Sequence, residues 1–236
     1  MKKIFAVLIC TFLSLGINAQ NIIGAWESYT TSDTGEKLRN VVIFADGYQV
    51  LTTYNATTGA FIHTNGGTWT LEGDVITEKV EFHTDASERV GTKSRFKVII
   101  TDTTIQIVGN DMILHRIDNG TPGKLQGAWL MSGRIRDGKT QVRDTNRPRK
   151  TMKILSGTRF QWIAYNTETK QFMGTGGGTY TTINGQYTET IEFFSRDDSR
   201  VGRSLPFTYE LIDGAWHHKG FSSKGNPIHE IWSIRK

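Results

Sequence analysis

The stretch NGGTWT at residues 65–70 returns as GGGTYT at residues 176–181. The glycines, the threonines and one aromatic residue recur in the same order, at an offset of 111 positions. A pattern that returns at one long offset predicts that the chain is a duplication. The flanking sequence provides a test of that interpretation.

Further segments match at the same offset along the two halves of the chain. These are TEKVEF at 77–82 with TETIEF at 188–193, and RVG at 89–91 with RVG at 200–202. GAW at 24–26 matches GAW at 127–129 at an offset of 103, so the second copy carries eight additional residues in its first connection. Copies of about 100 residues are each long enough for a separate core, which favours two tandem domains over a solenoid.

The first nineteen residues have the features of a secretory signal peptide. A basic start, MKK, precedes the apolar run IFAVLICTFLSLG, and INA supplies small or permissive residues before Gln20. This order predicts cleavage after Ala19 and a secreted or periplasmic location. A retained anchor and a lipoprotein modified at Cys10 are the alternatives, although Cys10 lies early in the apolar run for a lipoprotein. The chain then divides into a signal peptide (1–19), a first domain (20–118), a linker (119–125) and a second domain (126–236).

Removal of the signal peptide changes the charge and the cysteine count. The formal net charge of +5 falls to +3 when Lys2 and Lys3 leave, which is too small for a nucleic-acid-binding surface. Cys10 is the single cysteine, so the mature chain has neither disulfides nor thiolate metal sites. No later apolar run approaches the ~20 residues that cross a bilayer. Core burial alone must stabilise the roughly 215 remaining residues.

Each copy is predicted to be all-β, because it reads as short strands with tight turns and no segment of helical periodicity. In the first copy we expect strands near 24–31, 38–45, 48–55, 66–72, 75–83, 94–102, 103–109 and 112–117. Eight strands joined mostly by hairpins form an antiparallel up-and-down meander, which removes its exposed edges by closing into a barrel. Two tandem eight-stranded barrels are therefore the predicted fold, with β-sandwiches as the alternative. A barrel of this size has room for side chains and one small ligand.

The two GAW segments carry a family resemblance. A Gly-x-Trp on the first strand, followed by a meander and a basic residue on the last strand, resembles the lipocalin and wider calycin group. The GGTWT, EF…RVG and EIW segments resemble the lipocalin-like domains of uncharacterised secreted proteins of the Bacteroidetes group. The resemblance implies that the tryptophan packs across the closed end of the barrel and that the late arginine covers it. It thus implies contacts of Arg116 with Trp26 and of Arg235 with Trp129, each a cation–π stack worth about 0.5–2 kcal/mol.

One carboxylate in each copy lies on the strand face that we expect to be inside. The inward face holds Ile76, Glu78, Val80 and Phe82 in the first copy, and Tyr187, Glu189, Ile191 and Phe193 in the second. An ionised carboxylate in an apolar interior is costly unless it is paired. One expectation is pairing with an arginine, drawn from Arg95, Arg89, Arg203 and Arg200. The alternative is a polar anchor for a ligand in an otherwise apolar cavity, whereas a catalytic acid or base lacks a visible partner.

Trp69 and Tyr180 hold matching positions just after the repeated glycines. We expect them to line a cavity mouth, where an aromatic ring with a polar edge suits sugars as well as apolar ligands; core packing is the alternative. The glycine runs themselves lack the GK[ST] ending of a phosphate-binding loop. They favour bulges or sharp bends in barrel strands.

Two polar clusters distinguish the second copy from the first. His217 and His218 precede His229 by about one hairpin, but adjacent strand residues face opposite sides, so no metal site is assigned. The segment RIRDGKTQVRDTNRPRK, residues 134–150, is strongly basic. It is interpreted either as a solvated loop or as a lid that recognises anions, acidic lipid or glycan.

These observations favour a secreted or periplasmic binding protein, rather than an enzyme, that holds a small, mostly apolar ligand in a lipocalin-like barrel. The ligand is expected to be lipid-like or a saccharide, and no cofactor or nucleic acid is expected. The expected ligand-binding residues are Glu78, Glu189, Trp69 and Tyr180. The alternative is a structural or interaction module with filled barrels, acting through its outer surface and basic loop. No Ser-His-Asp constellation can be assigned.

Overall fold

The computed structural model describes residues 22–118, 121, 123–222 and 225–235. The expected signal peptide (1–19) and part of the expected linker (119, 120 and 122) lie outside the described residues. The described chain is all-β and forms two closed antiparallel barrels in tandem, which confirms the predicted fold class. Two 3-10 turns, Ser87–Arg89 and Asp198–Arg200, are the helical elements of the described part.

The first barrel contains eight strands in up-and-down order, and its last strand pairs with its first. The strands are β1 (Gly24–Thr31), β2 (Lys37–Ala45), β3 (Tyr48–Asn55), β4 (Phe61–Glu72), β5 (Val75–His83), β6 (Lys93–Ile100), β7 (Thr104–Ile107) and β8 (Ile113–Arg116). The strand expected near 66–72 begins earlier, at Phe61, and continues through the repeated glycines, where its pairing with β5 shifts register.

The second barrel repeats this order and closes through pairing of its first and last strands. Its strands are β9 (Gly127–Arg136), β10 (Lys139–Val142), β11 (Arg149–Leu155), β12 (Arg159–Asn166), β13 (Phe172–Ile183), β14 (Gln186–Phe194), β15 (Ser204–Ile212), β16 (Ala215–Phe221) and β17 (Pro227–Ile234). β10 lies at the edge of the sheet and pairs with β9. It lies in the segment that carries the additional residues, so the insertion adds a hairpin arm to an eight-stranded barrel.

Each barrel has an apolar interior of its own. The first contains Ile22, Trp26, Val42, Phe44, Trp69, Ile76, Val98, Ile105 and Leu114. The second contains Leu125, Trp129, Leu155, Phe160, Tyr180, Tyr187, Ile191, Phe207, Trp216 and Trp232. Seven residues of the second interior are aromatic, whereas three residues of the first interior are aromatic. The two interiors are therefore filled by different kinds of side chain.

A third apolar core lies between the barrels, which the sequence did not predict. It combines residues of both halves, among them Val41, Ile43, Val50, Tyr54, Phe82, Met152, Ile154, Ile163, Tyr165 and Phe193. At its edge Phe61 stacks on Phe172, with ring centroids 6.1 Å apart. These two phenylalanines are 111 positions apart, so equivalent residues of the two copies meet.

The rings of this core pair reciprocally. Tyr54 packs on Phe193 at a centroid distance of 5.0 Å, and the equivalent pair, Tyr165 and Phe82, packs at 4.9 Å. Reciprocal contacts of this kind define an approximate two-fold axis, as in a symmetric dimer. The two barrels therefore pack like the subunits of a homodimer that are joined in one chain.

Hydrogen bonds at the same interface are reciprocal as well. The hydroxyl of Tyr54 donates to Glu192 at 2.7 Å, and the hydroxyl of Tyr165 donates to Glu81 at 2.6 Å. Arginines neutralise both carboxylates: Arg39 and Arg159 contact Glu192, and Arg235 contacts Glu81. Because Arg39 and Arg235 each pair with a carboxylate of the other barrel, the polar rim stabilises the same packing as the apolar core.

Bulges determine which side chains enter the core between the barrels. The pairings of β4 with β5 and of β13 with β14 both shift register at the repeated glycines. Phe82 and Phe193 were expected inside the barrels, but they lie in the core between them. That prediction is wrong because alternation with period two does not continue through a bulge.

Asp118, just after the first barrel, also joins the two halves. Its carboxylate accepts from the backbone N–H of Ala25 at 3.2 Å in the first barrel. Its other oxygen accepts from Ser156 at 2.5 Å and from both donors of Thr158, at 2.9 and 3.0 Å, in the second. Asp118, directly before the expected linker, is therefore hydrogen-bonded to both barrels.

Candidate functional site

The two inward carboxylates occupy equivalent places in the two barrels. Glu78 lies on β5 opposite Trp69, and Glu189 lies on β14 opposite Tyr180. Glu78 follows Ile76 of the first interior on the same strand face. The surroundings of the two carboxylates differ, and that difference decides which one is available to a ligand.

Glu189 is satisfied inside the second barrel. Its carboxylate lies 2.7 Å from the ammonium of Lys153 and accepts from the hydroxyl of Tyr187 at 2.9 Å. The side chains of Lys153 and Glu189 are each 6% exposed, so the pair is buried. The expected pairing with Arg200 or Arg203 is therefore wrong. Those arginines line a small cleft at the barrel mouth with Ile191, Phe194 and Leu205.

Aromatic rings surround the Lys153 ammonium at centroid distances of 5.1 to 5.8 Å. They belong to Tyr187, Phe207, Trp216 and Trp232. Sequence reasoning missed Lys153, although it lies two residues before the inward Leu155 and aligns with Val42 of the first copy. That alignment shows that the first barrel has no lysine at the matching position.

A second polar group in the same interior centres on His218. Its Nδ1 lies 3.2 Å from Glu230, which also accepts from the indole N–H of Trp232 at 3.2 Å. Burial, and then the charge of Lys153, lower the pKa of His218. Burial would raise the pKa of Glu230, but the hydrogen bond from His218, the charge of Lys153 and the hydrogen bond from Trp232 together outweigh it, and the pKa is lowered. A neutral imidazole thus donates to an ionised carboxylate, but Nε2 of His218 and the indole Nε1 of Trp216 are buried in this interior without a hydrogen-bond partner in the described part of the chain.

Glu78 in the first barrel has a different environment. It accepts a hydrogen bond from the amide of Gln49, and within the described residues no cation lies within 4.0 Å of it. Burial raises the pKa of Glu78, and the more distant charge of Arg89 opposes that shift. Arg89 itself donates to Ser94 at 3.3 Å. Pairing of Glu78 with Arg95 or Arg89 in an ion pair is therefore wrong, and its carboxylate retains acceptor capacity.

Small polar side chains line the first barrel beyond Glu78. Thr53 donates to Asn40 at 2.6 Å, and Asn40 donates to Thr30 at 3.2 Å. Ser28 follows Trp26 on the same face of β1, and its hydroxyl is buried without a hydrogen-bond partner in the described part of the chain. An unsatisfied buried hydroxyl is costly, so this region is suited to a polar group supplied from outside.

Trp69 and Tyr180 do not line a cavity mouth. Both are buried, and Trp69 donates to the backbone oxygens of Ala45 and Tyr48, each at 3.0 Å, in the turn between β2 and β3. Tyr180 donates to the Ser156 oxygen at 2.6 Å in the equivalent turn. The predicted mouth position is wrong, because strand register brings both rings to the end of the barrel that Trp26 and Trp129 occupy.

The two barrel-end arginines behave differently. The guanidinium of Arg116 lies 3.9 Å from the ring centroid of Trp26, where the resemblance places it. Arg235 instead crosses to the first barrel and lies 4.2 Å from the ring centroid of Tyr48. The expected contact with Trp129 is therefore wrong, because the carboxylate at the interface draws Arg235 outward. The indoles of Trp26 and Trp129 each donate to a backbone oxygen four residues earlier, at 2.9 Å.

The histidines of the second copy divide between the two strand faces as expected. His218 is buried in the interior, whereas His217 lies on the outer face, with its Nδ1 3.1 Å from Nε2 of His229. Within the described ranges, no group of three or more His, Cys, Asp or Glu side chains is arranged to hold a metal ion. No helix in the described part of the chain has the length and apolar character needed to cross a membrane.

The fold defines a duplicated, lipocalin-like barrel protein in which the inward carboxylate is ion-paired in the second barrel and has an amide partner in the first. A family model described as a domain of unknown function (DUF4488) matches residues 124–234. The matched segment corresponds to the second barrel and covers less than half of the chain. A search of curated proteins finds no match for the chain.

Proposed function

We propose that this protein is a secreted or periplasmic, non-catalytic binding protein that holds a small, mostly apolar ligand inside its first barrel. Glu78 is the polar anchor of that ligand. The observation that carries this proposal is the contrast between Glu78, which has an amide partner, and Glu189, which is neutralised by Lys153. A carboxylate without a paired cation in an apolar interior favours a ligand that donates a hydrogen bond.

The sizes of the lining side chains also support the first barrel as the location of the ligand site. Ser28 and Leu51 of the first copy correspond to Met131 and Trp162 of the second, which pack against the second interior. Smaller side chains leave more room for a ligand near the mouth. The unsatisfied hydroxyl of Ser28 provides a second polar contact for it.

The kinship with calycins and with lipocalin-like proteins of the Bacteroidetes group is part of this proposal. Arg116 on Trp26, together with Gly24 at φ 130° and Gly127 at φ 133°, supports it. The exclusion of catalysis is a proposal as well. It is supported by Gln49, a non-titrating amide, as the hydrogen-bond partner of Glu78.

The second barrel fits the alternative role, that of a filled structural module. Its interior contains seven aromatic side chains and the buried pair of Lys153 and Glu189. The two charges of that pair satisfy each other, so a ligand that contacts either one would have to break the pair. We propose that this barrel supports the first one and presents its outer surface.

The test compares Glu78→Gln with the matched variant Glu189→Gln in the mature chain. N-phenylnaphthylamine, a neutral apolar amine that fluoresces in apolar sites, serves as the probe, and native mass spectrometry detects co-purified molecules. Loss of a hydrogen bond to a charged acceptor is worth about 1.5–3 kcal/mol, so Glu78→Gln weakens probe binding by roughly tenfold or more.

Glu189→Gln is expected to lower thermal stability and to leave probe affinity within about twofold of wild type, since Glu189 is already paired. Unchanged affinity in Glu78→Gln would contradict the proposed anchor. Loss of binding in Glu189→Gln alone would place the ligand in the second barrel. Circular dichroism of both variants verifies that the barrels remain folded.

A further inference from the structure

Residues 134–150, which we call the basic segment, concentrate the charge of the chain. Its cations are Arg134, Arg136, Lys139, Arg143, Arg147, Arg149 and Lys150, and its anions are Asp137 and Asp144. The segment has a net charge of +5, which equals the formal net charge of the whole chain. The other residues of the chain therefore sum to zero, so the net positive charge of the chain resides in this segment.

The hairpin of β9 and β10 projects this charge from the second barrel. All four residues of β10 are exposed, and the strand is paired on its β9 side at the edge of the sheet. Arg134 donates to Gln141 across the hairpin at 2.6 Å, which fixes the direction of the arm. The first barrel has no such arm, so the insertion in the second copy created this surface.

The loop after β10 brings several guanidinium groups together. Arg143 donates to Thr151 at 3.2 Å and to the backbone oxygen of Arg149 at 3.4 Å. Arg147 lies 3.9 Å from Asp144. Burial, and then the positive charges of Arg149 and Arg147, lower the pKa of Arg143. The cations of this loop exceed its anions, and an external anion would relieve their mutual repulsion.

Exposed apolar side chains lie at the same rim of the barrel. Val142, directly before Arg143, is 86% exposed, and Phe221 at the end of β16 is 64% exposed. Phe221 pairs with Pro227 at the start of β17, and β17 pairs with the same end of β9 that pairs with β10. Apolar side chains that project beside arginines suit an interface that is both anionic and apolar.

We propose that the basic segment docks the protein onto a bilayer surface that carries anionic phospholipid headgroups. Arginines bind the phosphates through paired N–H donors, and Val142 and Phe221 enter the headgroup region. An anionic glycan would satisfy the arginines but would give the projecting valine and phenylalanine no apolar environment. The bilayer accounts for both features.

Co-sedimentation of the mature chain with vesicles tests this proposal. Vesicles of phosphatidylcholine mixed with phosphatidylglycerol are compared with vesicles of phosphatidylcholine alone, over a series of salt concentrations. Each Lys or Arg near an anionic surface contributes about fivefold in affinity, so the variant Arg136→Gln/Lys139→Gln/Arg147→Gln binds mixed vesicles roughly 100-fold more weakly. Wild-type binding is expected to weaken as salt increases.

The matched control removes the same charge elsewhere. Lys93, Arg95 and Lys97 are exposed on β6 of the first barrel, and their joint replacement by Gln is expected to weaken binding less than about fivefold. Val142→Ser is expected to weaken binding at every salt concentration without changing the salt dependence. Equal losses in the two triple variants would overturn the proposal. Binding to heparin with no binding to mixed vesicles would overturn it as well.

Discussion

The buried pair of Lys153 and Glu189 gives the sharpest prediction about the second barrel. Replacing Lys153 by Met removes the ammonium but keeps a flexible apolar side chain of similar length. Glu189 then retains the hydroxyl of Tyr187, at 2.9 Å, as its described partner. The variant therefore leaves a carboxylate uncompensated in an interior rich in aromatic rings.

The expected loss follows from the geometry of the pair. The charged atoms are 2.7 Å apart and both side chains are 6% exposed, so solvent screening is weak. Removing one partner of such a pair lowers the free energy of unfolding by about 3–5 kcal/mol. In a protein of this size each kcal/mol shifts Tm by about 2–4 °C. Lys153→Met should therefore lower Tm by roughly 6–20 °C.

Thermal and urea unfolding followed by circular dichroism measure this loss, and a double variant isolates its cause. In Lys153→Met/Glu189→Leu both charges are gone, so stability should return close to that of wild type. The first copy has Val42 where the second has Lys153, and its carboxylate, Glu78, has the amide of Gln49 as its partner. A single variant within about 1 kcal/mol of wild type would refute the reasoning, as would a double variant that is less stable than either single one.

Three further predictions concern the interface, the bulge and the closed end. Burial alone would raise the pKa of Glu192, but the hydrogen bonds from Arg159 and Tyr54 and the charges of Arg159 and Arg39 together outweigh it and lower the pKa below its usual 4.5. The folded state therefore binds fewer protons, and stability is lost as pH falls from about 4.5 through the lower folded value; Glu192→Gln should flatten that slope in urea titrations. Gly67→Ala directs a methyl group at the backbone oxygen of Lys79 and should lower the free energy of unfolding by about 1–3 kcal/mol, measured by denaturant unfolding. Arg116→Ala should lower the free energy of unfolding by about 0.5–2 kcal/mol and alter the fluorescence of Trp26, because the guanidinium lies over that ring.

The repeat and the alternation of residues were enough to predict two all-β barrels. Strand bounds followed from turn residues such as those around Asp46 and Gly47, since a hairpin fixes where each strand ends. The position of Arg116 over Trp26 followed from the resemblance. These features are local or belong to one barrel, which is why the sequence alone could indicate them.

Features that depend on two distant segments were not predicted. Period-two alternation correctly placed Glu189 inside, but it could not show that Lys153, on another strand, reaches it. The bulges reversed the faces of Phe82 and Phe193, because a single extra residue changes the direction of those that follow. The core between the barrels could not be predicted for a related reason. β2 and β3 bury residues on both faces, and a strand that is buried on both faces shows no alternation of apolar and polar residues in its sequence.

Methyl NMR of residues 20–236, recorded with and without N-phenylnaphthylamine, tests the central claim most directly. The reporters are Ile76, Val98, Ile105 and Leu114 in the first interior, and Leu125, Leu155 and Ile191 in the second. A ligand anchored by Glu78 should shift the first set and leave the second unchanged. Shifts confined to the second set, or absent from both at saturating probe, would contradict the assignment of the ligand site to the first barrel.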